Sequence, residues 1–143
     1  MKKSGILNAA LLGELAKLRH TDRFVICDAG FPIPKDGNVV DVSLTEGIPS
    51  FEQTLRAVVN EMVVEEYVAF SVMEAKNPDC YHLITTLFQN QKSSFVTMPE
   101  FQELAKDAKL FIRTGELRPA SNLLLISASG TKPAVEKFSV TME

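Results

Sequence analysis

The sequence has neither a long apolar run nor an excess of charge of one sign. Its 143 residues include 15 Lys or Arg and 18 Asp or Glu, which gives a formal net charge of -3. The basic residues are scattered, whereas a nucleic-acid-binding surface needs clustered positive charge. No apolar stretch approaches the roughly 20 residues that cross a bilayer. Polar residues from Asn8 onward interrupt the N-terminal apolar segment, unlike a signal peptide. We therefore expect a cytoplasmic protein that binds neither nucleic acid nor membranes.

The motifs of several common enzyme classes are also missing. The sequence contains no GxGxxG, GxxxxGK[ST], GxSxG or HExxH, which are typical of dinucleotide, nucleoside triphosphate, serine-hydrolase and zinc-protease sites. The two cysteines, Cys27 and Cys80, form no CxxC pair, and this favours buried free thiols. We therefore expect chemistry that uses no metal or other cofactor.

What is present is an alternation of helical and strand-like segments in one domain spanning residues 1–143. Helices are predicted to begin near Asn8, Ser50, Asn77 and Pro99. Strands are predicted at 24–27, 40–44, 67–72, 95–97, 110–113 and, centrally, 123–126. The alternation predicts a single compact α/β domain with a mostly parallel sheet flanked by helices. Residues 128–143 break the pattern and form a variable tail, either an extra edge strand or a frayed end.

Two groups of polar residues favour structural roles. Glu61, Glu65 and Glu66 have helical spacing and no histidine near them in the sequence, so we interpret them as a solvated helix end rather than a metal site. His82 lies in a predicted helix beside Tyr81 and is expected to be partly exposed.

His20 and Asp28 flank the predicted strand at 24–27 and are the strongest candidates for chemistry. One interpretation is structural, because a histidine suits a helix C-terminus and an aspartate suits a turn. The other is proton transfer, because imidazole both accepts and donates protons near neutral pH and a carboxylate can bind a hydroxyl. The proton-transfer hypothesis requires the chain to bring the two side chains to one pocket.

Six segments distributed over the chain resemble one known family. They are MKKSGILN at 1–8, LRHTD at 18–22, DAGFPIP at 28–34, GIPSF at 47–51, NEM at 60–62 and IRTGE at 112–116. Together, and in this order, they resemble the ribose branch of the ribose pyranase and L-fucose mutarotase family.

The resemblance implies a fold, an assembly and an activity. The fold is a compact α/β subunit that assembles into a ring-based homo-oligomer, with a decamer of two stacked pentamers expected for the ribose branch. The activity is the cofactor-free interconversion of pyranose and furanose forms of a monosaccharide, D-ribose in this branch. Residue by residue, it implies that His20 is the general acid or base and that Asp28 contacts the sugar.

The sequence departs from the family pattern at several expected sugar contacts. Met98 stands where the family has a pocket histidine, and Ala120 stands where it has a tyrosine, while Asn122 is kept. The segment Val72-Met73-Glu74 replaces a Glu-Ile-Lys segment. Three hypotheses stay open: a D-ribose pyranase, a mutarotase for a different aldose such as fucose, and a sugar-binding oligomer without catalysis.

Overall fold

A computed structural model describes residues 1–130 and 138–142 of the chain. Along this part of the chain the elements are α1 (Ala9–Lys17), β1 (Arg23–Cys27), β2 (Val39–Asp41), α2 (Phe51–Val59), β3 (Val64–Phe70), α3 (Met73–Lys76), α4 (Pro78–Leu87), β4 (Lys92–Val96), α5 (Met98–Ala105), β5 (Leu110–Arg113) and β6 (Leu123–Ser127). The alternation of helices and strands predicted from the sequence is confirmed.

The six strands form one mixed sheet in the order β2-β5-β1-β6-β3-β4. Strand β1 is parallel to β5, β5 to β2, and β3 to β4, whereas β6 is antiparallel to both of its neighbours, β1 and β3. Five strands therefore run in one direction and β6 alone runs in the other. We call the edge at which β1 to β5 end and β6 begins the carboxyl edge of the sheet.

Local sequence signals explain where the helices begin. The side chain of Asn8 accepts a hydrogen bond from the Leu11 amide and caps α1. Ser50 and Gln53 form the predicted reciprocal capping box at the start of α2. Asn77 caps α4 through the Cys80 amide, and Thr97 caps α5 through the Glu100 amide. These side chains satisfy amide groups that a helix start leaves unpaired.

The core lies on both faces of the sheet. Four of the five residues of β1 are fully buried, and this is typical of a strand covered on both sides. Phe101 of α5 makes edge-to-face contacts with Phe31 and with Phe70, which joins α5 to β3 and to the loop after β1. Cys27 and Cys80 are buried free thiols, as predicted, and burial raises the pKa of each thiol to about 12.

Three predicted strands have different limits in the structure, and one helix was not predicted. The strands predicted at 67–72 and 95–97 are β3 (Val64–Phe70) and β4 (Lys92–Val96). The strand predicted at 40–44 ends at Asp41, because the Asp41 carboxylate accepts hydrogen bonds from the Ser43 amide and hydroxyl and turns the chain away from the sheet. Leu44 is consequently 80% exposed. In addition, the single helical turn α3 was not predicted; its Met73 is completely buried, so this part of the segment 72–74 belongs to the core.

The tail predicted to be an edge strand or a frayed end is described only in part, since residues 131–137 and 143 lie outside the described residues. Residues 138–142 form no strand. They lie against α2, where the Asn60 side chain exchanges two hydrogen bonds with the Val140 backbone, at 2.8 and 3.0 Å. Phe138 contacts the ring of Phe88. This end of the chain therefore has defined contacts.

The turn after β5 leaves no room for a side chain at Gly115. We expect Gly115→Ala to lower the free energy of unfolding by about 1–3 kcal/mol. A Cβ at this position would lie 2.5 Å from the Ile48 carbonyl oxygen and 2.6 Å from that of Thr45. Urea denaturation measures the change. Gly13→Ala in α1 is the matched control, because its Cβ meets nothing within 4 Å, and it should raise stability by about 0.4–1 kcal/mol. Wild-type stability in Gly115→Ala would contradict this packing.

Candidate active site

Asp28 and Asn122 meet at the carboxyl edge because β1 ends where β6 begins. The Asn122 side-chain oxygen accepts a hydrogen bond from the Asp28 amide at 2.9 Å, and its nitrogen donates one to the Asp28 carboxylate at 3.1 Å. Asn122 is only 2% exposed. The two polar candidates that the resemblance assigned to sugar binding are therefore in direct contact, and Asn122 orients the Asp28 carboxylate.

The environment of Asp28 disfavours its charge. Burial raises the pKa of the Asp28 carboxyl, and the nearby Glu116 adds to this effect. Hydrogen bonds from Asn122 and from the amides of Gly30 and Phe31 act in the opposite direction but do not cancel the shift. A carboxyl group in this state can accept a hydrogen bond from a ligand hydroxyl and is poised closer to neutral pH than an exposed aspartate.

Glu116, in the IRTGE motif, has a different role. Its carboxylate accepts two hydrogen bonds from the Arg118 guanidinium at 3.0 and 3.1 Å, and one from the Phe51 amide at the start of α2. Burial alone would raise the pKa of Glu116, but the hydrogen bonds from Arg118 and Phe51 outweigh it, and the pKa is lowered. The motif therefore joins the turn after β5 to α2, and the Arg118 guanidinium is already paired.

Ala120 and Met98 also lie at the carboxyl edge. Ala120 is nearly buried and has a positive φ of 58°, a conformation that non-glycine residues rarely adopt. Asn77 supports this turn by donating hydrogen bonds to the Pro119 carbonyl and the Ser121 hydroxyl. Met98 is the first residue of α5 and is 51% exposed. All four predicted substrate contacts thus lie at one edge, although only Asp28 and Asn122 share hydrogen bonds.

A cleft lies between the DAGFPIP loop and α5, and none of the four predicted substrate contacts lines it. It has a volume of about 540 Å³ and is lined by Phe31, Pro32, Pro34, Asp36, Gln102, Ala105 and Lys106, within the usual range for small-molecule sites. It combines an aromatic ring and prolines with an amide, a carboxylate and an ammonium group. Gln102 was not identified from the sequence, because only the fold brings α5 beside this loop.

His20 lies at the opposite edge of the sheet. It precedes β1, whereas Asp28 follows it, and a strand of five residues spans roughly 17 Å. The His20 Nε2 atom lies 3.1 Å from the Glu65 Oε2 atom, and the His20 side chain is 52% exposed. Within one chain, His20 and Asp28 therefore do not share a pocket, contrary to what the proton-transfer hypothesis required.

The partner of His20 corrects the interpretation of the acidic cluster. Glu65 and Glu66 belong to β3 and not to a helix end, because α2 ends at Val59 and pairing with β4 and β6 extends the chain from Val64. Glu61 instead accepts a hydrogen bond from the Ile6 amide. The four-residue spacing of Glu61 and Glu65 suggested a helix, and only the sheet brings Glu65 to His20. His82, on α4, is exposed.

Neither a metal site nor a membrane-spanning helix is found in the residues described. No group of three or more His, Cys, Asp or Glu side chains within 1–130 and 138–142 is placed to hold a metal ion. In the same residues, no helix has the length and apolar character that crossing a membrane requires.

Comparisons with known proteins agree with the fold and with the motifs that form this edge. The sequence profile of the RbsD / FucU transport protein family matches residues 1–129. This chain belongs to that family. The family match therefore includes Asp28, Met98, Ala120 and Asn122 and ends before the last residues of the tail.

Relatives with assigned names cover most of the chain. A D-ribose pyranase 1 of Rubrobacter xylanophilus is 46% identical over 125 residues, which are 87% of this chain and 95% of the relative. A D-ribose pyranase of Bacillus subtilis is 42% identical over the same shares of each chain.

Solved structures match the fold. The structure of Bacillus subtilis RbsD complexed with D-ribose superposes with a TM-score of 0.85 at 41% identity, covering 90% of this chain and 98% of that one. A fucose mutarotase from Streptococcus pneumoniae in complex with L-fucose has a TM-score of 0.74 at 17% identity and covers 87% and 95%. The second likeness concerns the fold alone.

The contacts of Glu116 give a prediction for stability and its pH dependence. Glu116→Gln should lower the free energy of unfolding by about 1–3 kcal/mol at pH 7, because the amide replaces a buried, hydrogen-bonded carboxylate. Because the pKa of Glu116 is lowered in the folded protein, its carboxylate contributes fully to stability above the ordinary glutamate pKa. This contribution is lost as the pH falls through the pKa of Glu116 in the folded protein. The difference from wild type should therefore shrink as the pH falls below the ordinary pKa of glutamate.

Urea denaturation of the wild type and of Glu116→Gln, at pH 7 and at a pH below the ordinary glutamate pKa, measures this difference in stability. Glu103→Gln is the control, because Glu103 is paired with Lys106 at the surface, with side chains 71% and 65% exposed. Exposed pairs of this kind contribute little. If Glu116→Gln loses as much free energy of unfolding at acidic pH as at pH 7, the ionised carboxylate does not have this stabilising role.

Proposed function

We propose that this protein is a cofactor-free isomerase that interconverts the pyranose and furanose forms of D-ribose, together with their anomers. The observation that carries the proposal is the hydrogen-bonded Asp28–Asn122 pair at the carboxyl edge, in a chain 42–46% identical to proteins named D-ribose pyranase. A related structure holds D-ribose. A carboxylate fixed by an amide is suited to accept hydrogen bonds from the hydroxyl groups of a sugar.

The reaction requires proton transfer and no net change in atoms or electrons. A base removes the proton of the anomeric hydroxyl, the bond between the anomeric carbon and the ring oxygen breaks, and an acid protonates that oxygen. The open-chain aldehyde then closes through a different hydroxyl to give the other ring size. We assign the proton transfer to His20 and the binding of sugar hydroxyls to Asp28 and Asn122, because imidazole can serve as both acid and base near neutral pH.

This assignment requires a second copy of the chain. His20 and Asp28 lie at opposite edges of the sheet, so a neighbouring copy has to bring its His20 to the carboxyl edge. Such a head-to-tail contact uses two different surfaces of each subunit, and it forms a ring when the rotation between neighbouring copies closes. The proposal therefore includes a ring-based homo-oligomer, a decamer of two stacked pentamers, with sites formed between copies. It also places the enzyme in the cytoplasm, in keeping with its free thiols.

A second candidate substrate is a less polar aldose such as fucose. The observation that favours it is the exposed Met98 at the start of α5, at the same edge of the sheet as the small Ala120. A thioether donates no hydrogen bond, and a methyl side chain leaves space, so these positions suit an apolar part of a sugar. The Met98 and Ala120 positions would then decide which aldose is preferred, with the chemistry at His20 unchanged.

Saturation-transfer NMR on D-ribose tests the reaction directly. The wild-type protein should accelerate exchange between ring forms, and His20→Ala should lose at least about 100-fold of this rate, the usual contribution of a general acid or base. His82→Ala, which removes the exposed histidine of α4, is the matched control and should keep the wild-type rate. Fucose and other aldoses are measured in parallel.

The outcomes separate the candidates. If the protein accelerates exchange between the ring forms of fucose but not of ribose, then fucose and not ribose is the substrate. Sugar binding by calorimetry without exchange of any aldose would identify a non-catalytic sugar-binding oligomer and overturn the enzymatic proposal.

Mixed oligomers test whether each site spans two copies. His20→Ala and Asp28→Asn subunits should each be inactive alone, but co-expression at equal levels should restore about a quarter of the sites, one half times one half, if neighbours combine at random. Light scattering on the same samples should give the mass of ten chains. A mixed oligomer with no recovered exchange would contradict a site shared between copies. Co-expression of Asp28→Asn with Asn122→Ala subunits is the control. It should give no recovery, because both residues belong to the carboxyl edge of the same chain.

A further inference from the structure

The turn that presents His20 is held in a strained conformation. Thr21 has a positive φ of 71°, which is unusual for a β-branched residue. Its amide donates a hydrogen bond to the Ser127 carbonyl at 2.9 Å, at the end of β6. Strained residues persist where surrounding contacts fix them, and they cluster at functional sites. The direction of the His20 side chain is therefore set by the sheet and not by α1 alone.

Glu65 is the carboxylate that faces the His20 ring, although Asp22 is closer in the sequence. The Asp22 carboxylate accepts a hydrogen bond from the Arg19 amide at 2.7 Å and lies 3.9 Å from the Lys109 ammonium. Glu65, in the second position of β3, instead lies 3.1 Å from the His20 Nε2 atom. The order β1-β6-β3 places these residues at the same edge.

We propose that Glu65 is a positioning residue that fixes the tautomer and orientation of His20, an inference that rests on the proposed function. An ionised carboxylate only accepts hydrogen bonds, so the Nε2 atom carries the proton in this contact. In neutral imidazole the second nitrogen is then unprotonated. Nδ1 is therefore the atom that accepts a proton from the sugar, and Glu65 stabilises the imidazolium that results.

A simple surface ion pair would behave differently. The His20 and Glu65 side chains are 52% and 30% exposed, and pairs this exposed contribute little to stability. A positioning role therefore predicts that loss of Glu65 impairs turnover with little effect on folding. Loss of an ordinary surface ion pair would instead leave both turnover and folding nearly unchanged.

Glu65→Gln removes the charge that stabilises the imidazolium, although its side-chain carbonyl can still accept a hydrogen bond from Nε2. We expect kcat for ring-form exchange to fall tenfold or more, with KM for ribose unchanged because Glu65 does not touch the sugar. Glu66→Gln is the matched control, since it removes the same charge from the next residue of β3 and should keep wild-type kcat. In a His20→Ala background, Glu65→Gln should cause no further loss. Additive losses, or a change confined to KM, would overturn the proposal.

Nitrogen NMR of the histidine rings provides a readout that needs no activity. In slightly alkaline buffer, where an ordinary imidazole is neutral, His20 of the wild type should give the spectrum of the Nε2–H tautomer. Glu65→Lys, whose ammonium group only donates hydrogen bonds, should shift His20 toward the Nδ1–H tautomer and leave His82 unchanged. Identical His20 spectra in both proteins would overturn the inference. If the wild type exchanges no aldose, the proposed function fails, while these spectra still decide whether Glu65 sets the tautomer.

Discussion

The two hydrogen bonds between Asn122 and Asp28 are the interaction on which the carboxyl edge depends. A carboxamide has both an acceptor and a donor, and here the acceptor binds the Asp28 amide while the donor binds its carboxylate. Strand β6 makes this contact available because it runs against the five other strands and begins where β1 ends. The nearly complete burial of Asn122 makes the geometry rigid, since an unpaired amide there would be costly.

Two carboxylates at this edge have opposite electrostatic environments. Burial and Glu116 raise the pKa of Asp28, whereas hydrogen bonds from Arg118 and the start of α2 lower that of Glu116. Such divergence separates the roles of neighbouring acids. Glu116 is committed to holding the turn of the IRTGE motif against α2, while Asp28, only partly buried, keeps a carboxylate available to a ligand. The motif that signalled the family is thus largely a structural support for its neighbour.

His20, to which we assign the proton transfer, lies at the other edge, and this position determines the form of the proposed enzyme. His20 is presented by a strained turn and contacts Glu65, with no side chain of the carboxyl edge within reach. A site that combines the two edges has to be formed between copies, so catalysis and assembly become one requirement. Residues 138–142, which lie outside the family match, contact the end of α2 through Asn60.

Local signals in the sequence determined the helix starts at Asn8, Ser50 and Asn77, the buried strand β1 and the central strand β6, because capping and apolar periodicity act over a few residues. The resemblance to the family indicated that Asp28 and Asn122 are part of one sugar-binding site. Only the tertiary structure decided that Glu65 faces His20 and that His20 lies away from Asp28. These relations depend on strand order and direction, which bring His20 to a residue 45 positions away in the sequence, and no local pattern encodes such a distant pairing.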